Sequence, residues 1–239
     1  MEGLFDIHTH IIPGFDDGSG SLEETEAMLK KEYEDGVRTV FATSHYRHDM
    51  FENSLEAYNE GFEEVKEIGE HIGIKVLRGC EFHASMDMIE ILNGHERDTY
   101  EGTNCVLVEF SSMAARQFIR ERCYALLSGG YIPIIAHFER CEACRNFQFT
   151  EELIEMGAFM QMNSQSLLGD DGFLLRRFCR KAIKEGVVHF IASDCHNTSD
   201  RAPTLGRAVR YMEKTFGKDI TRRLLAENAE KLFGINGIY

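Results

Sequence analysis

The chain has 239 residues, of which 43% are hydrophobic and 28% are charged, with only three prolines and a formal net charge of −14. This composition excludes a disordered protein, and the length is sufficient for a substantial buried core. The negative charge argues against a nucleic-acid partner, whose phosphate backbone requires a basic face.

The predicted strands and helices alternate along the chain, because short apolar runs are separated by segments of helical periodicity. The predicted strands cover 4–8, 39–43, 75–77, 105–110, 132–136, 159–162 and 189–192. The predicted helices cover 22–35, 55–72, 115–128, 151–156, 173–185, 205–216 and 220–233. This order predicts one parallel α/β domain over residues 1–239, with the helices of 204–233 packed on it. A closed or nearly closed barrel of seven strands fits best, and a doubly wound open sheet is the alternative.

Localisation is expected to be cytoplasmic. No apolar stretch is long enough to span a bilayer, and the N-terminus lacks the basic, apolar and small-residue order of a signal peptide. Several of the seven cysteines lie in apolar runs, so we interpret them as reduced core residues and not as a disulfide framework.

Histidine and carboxylate residues follow the C-terminal ends of most predicted strands, and Asp17 lies shortly after the first. In chain order these strand-end residues are His8, His10, His45, Glu81, His83, Glu109, His137, Asp194 and His196. In a parallel barrel these ends form one rim, which carries the active site. A single histidine there is most often structural, but so many charged groups would repel one another without cations. The pattern predicts several metal ions, and nitrogen and oxygen donors suit manganese, iron or zinc.

The ordered motifs resemble those of the polymerase and histidinol phosphatase (PHP) family of metal-dependent phosphoesterases. Within that family they are most similar to the bacterial tyrosine phosphatases of capsular and extracellular polysaccharide operons. The resemblance extends from near the first residue to about residue 201. The motifs that carry it are HTHIIPGFDDG at 8–18, ATSH at 42–45, GCE at 79–81, LVEF at 107–110, GYIPIIAHFER at 130–140 and HFIASDCH at 189–196.

The resemblance implies a distorted (β/α)7 TIM-like barrel, the PHP fold, that binds three divalent ions. Manganese is the first expectation for these ions, and iron and zinc are the other options. The implied ligands of the first ion are His8, His10, Glu81 and Asp194. Those of the second are Glu81, Glu109 and His137, and those of the third are Asp17, His45 and His196.

The resemblance also implies hydrolysis of a phosphomonoester by a metal-activated hydroxide. Arg140 and Arg201 are the candidate catalytic residues, because a guanidinium can pair with phosphate oxygens in bidentate fashion. Each could instead be an ion-paired surface arginine. The expected partner is a phosphotyrosine protein, by resemblance a bacterial tyrosine autokinase. The alternative is a small-molecule phosphoesterase such as a histidinol-phosphate phosphatase.

Cys195 raises a rival mechanism, because it precedes Arg201 at the spacing used by thiolate-nucleophile tyrosine phosphatases. The intervening segment has no glycine to turn successive amides toward a phosphate. His196, which lies within it, also has an implied metal role. We therefore favour the metal mechanism.

Other residues near the ligand positions receive smaller roles. His83 shares a strand face with Glu81 and is expected to orient a ligand. Cys141 and Cys144 have the spacing of half a zinc site, but no second pair accompanies them, so two free thiols are expected. Three aromatic residues flank ligand positions and could wall a phosphotyrosine pocket, although aromatic residues near a rim more often pack in the core: Phe15, Tyr46 and Phe138.

Overall fold

Within the part of the chain that the structure describes, nine short strand segments form the sheets, and two strands of the barrel are each divided into two consecutive segments. A computed structural model describes residues 1–234 of the chain. Its strands are β1 (Leu4–Thr9), β2 (Val37–Ala42), β3 (His45–Tyr46), β4 (Lys75–Arg78), β5 (Glu81–His83), β6 (Cys105–Glu109), β7 (Ile132–Ile135), β8 (Phe159–Asn163) and β9 (Phe190–Ala192). β2 pairs with β4 and β3 pairs with β5, so β2 and β3 are two segments of one barrel strand, and β4 and β5 are two segments of its neighbour. Counted in this way, the nine segments form seven barrel strands, which we call staves.

The strands close into a barrel. All named strands pair in parallel, in the orders β1-β2-β4 and β3-β5-β6-β7-β8-β9. The two sheets meet where Thr9 bridges Cys195. There the His10 amide donates to the Cys195 carbonyl at 2.9 Å, and the Asp194 amide donates to the His8 carbonyl at 2.9 Å. The predicted seven-stranded barrel is confirmed, and the open-sheet alternative is wrong.

Helices connect the staves and extend beyond the last one. They are α1 (Leu22–Glu34), α2 (Leu55–Ile72), α3 (Met88–Asn93), α4 (Arg116–Ser128), α5 (Phe147–Met156), α6 (Ser164–Leu168), α7 (Phe173–Glu185), α8 (Leu205–Phe216), α9 (Lys218–Arg222) and α10 (Asn228–Phe233), with a π-helical turn at Arg223–Glu227. Helix α5 begins earlier than predicted, because the Asn146 side chain caps it by accepting from the Phe149 amide at 3.0 Å. Within residues 1–234, the helices lack the combined length and apolarity that a membrane span requires.

The barrel interior is a packed core. One buried cluster contains inward-facing strand residues such as Phe41 and Phe190, together with Tyr100 and Phe233. The Phe233 ring of α10 lies 4.8 Å from the Phe41 ring and 4.9 Å from the Tyr100 ring. The Tyr100 hydroxyl donates to the Ile7 carbonyl at 2.8 Å. A filled interior leaves the C-terminal rim of the strands as the place for a site.

Candidate metal centre

Glu81, the first residue of β5, lies at the centre of the predicted ligands and is fully buried. Its Oε2 atom lies 3.1 Å from His8 Nε2 and 3.3 Å from His10 Nε2. The same oxygen lies 3.0 Å from His45 Nδ1, and Oε1 lies 2.9 Å from His137 Nε2. Burial alone would raise the pKa of Glu81, but the charges of His8 and His45 hold it well below its usual range. One carboxylate is thus surrounded by four imidazoles.

Two buried atoms at this centre lack a hydrogen-bond partner within the described chain. They are Glu81 Oε2 and His196 Nε2. Burying a polar atom without a partner is unfavourable, and both atoms are of kinds that bind divalent cations. The donor set therefore fits bound metal ions.

His8, His10 and Asp194 form the first group of potential ligands, with one ligand atom each within 4.8 Å of the others. The two Nε2 atoms are 3.1 Å apart, and Asp194 Oδ1 lies 3.4 Å from that of His8 and 3.5 Å from that of His10. Adjacent staves provide these residues, because β1 and the segment after β9 meet at the barrel seam. With Glu81, the structure brings together all four residues predicted for the first ion.

A second group combines Asp17, His45 and His196, and His10 joins it within the same 4.8 Å limit. Asp17 Oδ1 lies 3.4 Å from the Nε2 atoms of both His45 and His196. The contact with His196 lowers the pKa of Asp17 below its usual value. The three residues predicted for the third ion therefore lie together.

The remaining predicted group is arranged less tightly. Glu109 forms a compact group with Glu81 and His45, whereas His137 Nε2 lies 3.8 Å from Glu109 Oε1. His45 consequently lies between two groups, although the sequence-based grouping assigned it to one ion. Burial lowers the pKa of His137, but its hydrogen bond to Glu81 raises that pKa to about 9. His83 Nδ1 lies 3.1 Å from Glu109 Oε2, consistent with an orienting role.

Hydrogen bonds on the outer side of the histidines fix which ring nitrogen faces the centre. His8 Nδ1 lies 3.1 Å from Gln161 Oε1, and His196 Nδ1 lies 3.0 Å from the backbone oxygen of Asp194. Because these oxygens can only accept, each Nδ1 carries a proton, so in the neutral form of each ring Nε2 presents a lone pair to the centre. This tautomer is the one that metal coordination through Nε2 requires.

Asp16 provides similar support and was not predicted. Its Oδ2 atom lies 2.8 Å from His10 Nδ1 and accepts from the His45 amide at 2.8 Å, while Oδ1 accepts from the Gly18 amide at 2.9 Å. Burial would raise the pKa of Asp16, but the charge of His10 lowers it. The signal in the sequence was the pair of adjacent aspartates at 16–17, of which only one can face the centre.

Both predicted arginines lie at the site and bridge carboxylates. Arg140 donates to Asp194 Oδ2 at 3.2 Å and to Asp171 Oδ2 at 3.3 Å. Arg201 donates to Asp17 Oδ2 at 3.2 Å and to Asp194 Oδ1 at 3.3 Å. The two guanidinium groups thus converge on Asp194 from different loops.

The centre opens into a cavity of about 330 Å³. Its lining includes three residues that were not predicted, namely Arg47, Met50 and Phe51. Within residues 1–234 the Arg47 guanidinium forms no ion pair, so it is a positive charge available to a ligand. The Phe51 ring stacks on His45 with centroids 5.3 Å apart and planes 10° apart. Arg47 lies two residues after the predicted ligand His45, and this position in the sequence could have identified it as a candidate.

The three aromatic residues considered as cavity walls pack in the core, which was the favoured alternative. The three residues are only 0–8% exposed and belong to the hydrophobic core: Phe15, Tyr46 and Phe138. Phe51 takes the place beside the ligands because the irregular segment after β3 folds back, where the Arg47 amide donates to the Phe51 carbonyl at 3.1 Å.

Cys195 does not face the cavity. It is fully buried, and its Sγ atom lies 4.0 Å from Glu32 Oε1 on the opposite side of the strand end. Burial raises the pKa of its thiol well above the usual value. The thiolate mechanism therefore has no accessible nucleophile at this position.

Two ligand candidates have unusual backbones. The φ angles of His137 and Asp194 are +27° and +55°, in the left-handed range that few residues other than glycine adopt. Such conformations concentrate at functional sites, where the surrounding structure holds them. They turn both side chains toward the cavity at the ends of β7 and β9.

Comparisons with known proteins agree with this geometry. The sequence model of the family described as capsular polysaccharide synthesis, CpsB/CapC, matches residues 4–234. The chain is 34% identical over 237 residues to the tyrosine-protein phosphatase CpsB of Streptococcus agalactiae serotype V, covering 96% of this chain and 98% of that protein. It is 33% identical over 232 residues to the tyrosine-protein phosphatase YwqE of Bacillus subtilis, covering 96% and 91%. A crystal structure from a study of YwqE and of Streptococcus pneumoniae CpsB, described as unique metal-dependent tyrosine phosphatases, matches with a TM-score of 0.89 and 32% identity, covering 99% and 96%.

Proposed function

This chain belongs to the CpsB/CapC family of metal-dependent tyrosine phosphatases of capsule synthesis, and we propose that it dephosphorylates a bacterial tyrosine autokinase that controls capsular or exopolysaccharide production. The observation that carries a metal-dependent reaction is the environment of Glu81 Oε2. This buried oxygen lies within 3.3 Å of nitrogens from His8, His10 and His45, yet within residues 1–234 it has no hydrogen-bond partner. A cation between these atoms would satisfy all of them.

The proposal includes three divalent ions, with manganese as the first candidate and iron or zinc as the other options. The residues that would hold them are His8, His10, Asp17, His45, Glu81, Glu109, His137, Asp194 and His196. Oxygen and nitrogen donors without a thiolate suit these metals. Four carboxylates among these residues against three dications leave a net positive pocket, which attracts a phosphate dianion.

The residues of the chain prepare the phosphoryl group for hydrolysis. Metal ions bound here would acidify water and polarise a phosphoryl oxygen. Arg47 forms no ion pair within residues 1–234 and can therefore bind phosphate without giving up another contact. Arg140 and Arg201 can exchange their carboxylate contacts for phosphate oxygens. Phe51 and Met50 provide an apolar wall for the phenyl ring. A tyrosinate leaving group, with a pKa of about 10, needs little acid assistance.

Exposed apolar side chains around the mouth favour a protein over a small molecule as substrate. Met50 is 58% exposed, Met86 is 71% exposed and Met113 is 75% exposed, and each lies in a segment that follows a strand at the rim. Phe173 and Leu174, after α6, are 75% and 79% exposed. Among these side chains of the described residues only Met50 lines the cavity, so a small phosphate ester inside it would not reach the other four. A docked polypeptide would cover all of them.

The proposed setting is the cytoplasm, with residues 1–239 acting as one phosphoesterase domain. All seven cysteines are unpaired and buried, which suits a reducing compartment. The first strand, β1, meets the segment after the last strand, β9, at the seam, so the barrel closes only with strands that lie far apart in the sequence.

Kinetics on two substrates test this proposal. The protein is stripped with a strong chelator and reconstituted with Mn²⁺, and kcat/KM is measured on a phosphotyrosine peptide and on histidinol phosphate. We expect activity to vanish with the chelator, to return with Mn²⁺, and to favour the peptide. Glu81→Gln should remove activity, whereas Cys195→Ala should retain it. Activity that survives the chelator contradicts the metal mechanism, and a large preference for histidinol phosphate contradicts the substrate.

A further inference from the structure

A basic groove runs along the outer face of α7. It has a volume of about 580 Å³ and is lined by Phe173, Arg176, Arg177, Arg180, Lys181 and Lys184. These positions recur at intervals of three and four residues, so they form one stripe along the helix. Five of the six lining residues are cationic, in a chain whose net charge is −14.

The cations of this groove are not neutralised by carboxylates. Within residues 1–234, Arg177, Arg180 and Lys184 are exposed and form no ion pair. Arg176 and Lys181 also pair with no carboxylate there, and instead lie over aromatic rings, 4.9 Å from the Tyr211 centroid and 4.8 Å from the Phe147 centroid. An unpaired cationic stripe on an acidic protein is an electrostatic signature of an anionic partner.

The groove starts at the mouth of the metal centre. Asp171, which Arg140 contacts at 3.3 Å, is separated from Phe173 by a single glycine. From Phe173 the helical rise carries the stripe about 16 Å to Lys184. Phe173 and Leu174 add two exposed apolar side chains at the end nearest the mouth. A chain leaving the cavity over this part of the rim would therefore enter the groove.

We propose that the α7 groove binds an acidic segment next to the phosphotyrosine of the substrate polypeptide and thereby determines which phosphotyrosine is hydrolysed. This inference rests on the proposed function, because it requires a phosphotyrosine polypeptide in the cavity. About five residues of extended chain span the groove, at about 3.3 Å per residue. Carboxylates at alternate positions of such a segment can meet Arg177, Arg180 and Lys184 in turn.

Peptide kinetics test the groove. One phosphotyrosine peptide carries four glutamates on one side of the phosphotyrosine, and its control carries four glutamines at the same positions. A second pair of peptides carries these residues on the other side. For the wild type, kcat/KM on the glutamate peptide should exceed that on the glutamine peptide about tenfold at low salt, and the ratio should fall as salt increases. The triple variant Arg177→Glu, Arg180→Glu and Lys184→Glu should lose this preference but retain wild-type turnover of p-nitrophenyl phosphate.

A matched variant controls for the change in net charge. Lys30→Glu, Lys66→Glu and Lys75→Glu introduce the same change at positions on α1, α2 and β4, and this variant should keep the preference. Equal hydrolysis of the two peptides by the wild type overturns the groove proposal and leaves the proposed function intact. Hydrolysis of histidinol phosphate but of neither peptide overturns both. Unchanged peptide kinetics in the α7 variant, with lost binding to phosphatidylglycerol vesicles, overturns the proposal in favour of a membrane contact.

Discussion

The amide oxygen of Gln161 lies 3.1 Å from Nδ1 of His8, so an uncharged side chain on β8 fixes the tautomer of a ligand candidate on β1. The same oxygen accepts from the His137 amide at 2.7 Å, and the Gln161 amide group donates to Asn163 at 2.9 Å. Asn163 in turn donates to Asp194 at 2.6 Å. The linked side-chain amides of Gln161 and Asn163 thus hold three ligand candidates in place.

Replacement of Gln161 should weaken metal binding without unfolding the barrel. In Gln161→Leu the Nδ1 proton of His8 loses its acceptor, so we expect metal affinity to fall roughly 10- to 100-fold. Competition with a fluorescent chelator measures this affinity. Met160→Leu changes a neighbouring buried side chain of the same strand and should leave the affinity unchanged. Equal affinities of Gln161→Leu and the wild type would contradict the positioning role.

Arg47 should contribute to phosphate binding independently of the metal ligands. Arg140 and Arg201 contact ligand carboxylates, but within residues 1–234 Arg47 forms no ion pair. A hydrogen bond to a charged group contributes about 1.5–3 kcal/mol, so Arg47→Ala should lower kcat/KM roughly 10- to 100-fold. Metal content, measured by elemental analysis, should not change. Arg47→Lys should recover part of the loss, and Arg210→Ala, on the surface of α8, should have no effect. Wild-type kinetics in Arg47→Ala would contradict a role of Arg47 in phosphate binding.

Gly18 should tolerate no side chain, because the backbone of a ligand residue lies against it. A Cβ atom at Gly18 would lie 2.3 Å from the His10 carbonyl oxygen, so either His10 or the loop carrying Asp17 must move. We expect Gly18→Ala to lower kcat at least tenfold and to release metal. At Gly20 the added atom would meet only Glu24 Oε2 at 3.6 Å, so Gly20→Ala should behave like the wild type. Similar losses in both variants would indicate a general effect on the loop.

Glu32 should make folding stability depend on pH. Burial raises the pKa of this carboxyl well above its usual value, and its neighbours include Asp6. A carboxyl whose folded-state pKa is raised contributes stability below its unfolded pKa of about 4.5 and loses it as the pH rises toward the folded value. The loss amounts to about 1.4 kcal/mol for each pH unit between the two values.

Glu32→Gln imitates the protonated carboxyl and should remove this dependence. Relative to the wild type, the variant should gain stability between pH 5 and pH 8, as urea denaturation would measure. Glu34→Gln changes an exposed residue of the same helix and should show no such gain. A constant difference between Glu32→Gln and the wild type across this range would mean that Glu32 is already ionised in the folded protein.

The barrel and the collection of ligand candidates were predictable from the sequence because both follow from simple periodicities. Strand ends of a parallel barrel share one rim, so the histidines and carboxylates that follow most of the predicted strands necessarily approach one another. Short helices were not predictable, because α3 and α6 have only six and five residues and show too little periodicity. The start of α5 was missed for a different reason, since it depends on the local cap at Asn146.

The grouping of the ligands was less predictable than their identity. His45 faces Glu81 with one ring nitrogen and Asp17 with the other, and only the ring orientation decides this. The supporting amide of Gln161 lies on the one predicted strand without a histidine or carboxylate after it, so no pattern drew attention to it. The cavity wall depended on the fold of the segment after β3, where Phe51 returns to His45.

The seam between Thr9 and Cys195 has a consequence for biosynthesis. His8 and His10 are synthesised before most of the barrel, whereas Asp194 is synthesised after it. A nascent chain that ends before Asp194 therefore lacks one of the four residues proposed to hold the first ion. In the proposed metal centre this ligand set is complete only when the segment after β9 joins β1, so we expect chains that end before Asp194 to bind metal less tightly. We therefore expect metal retention to depend on closure of the barrel.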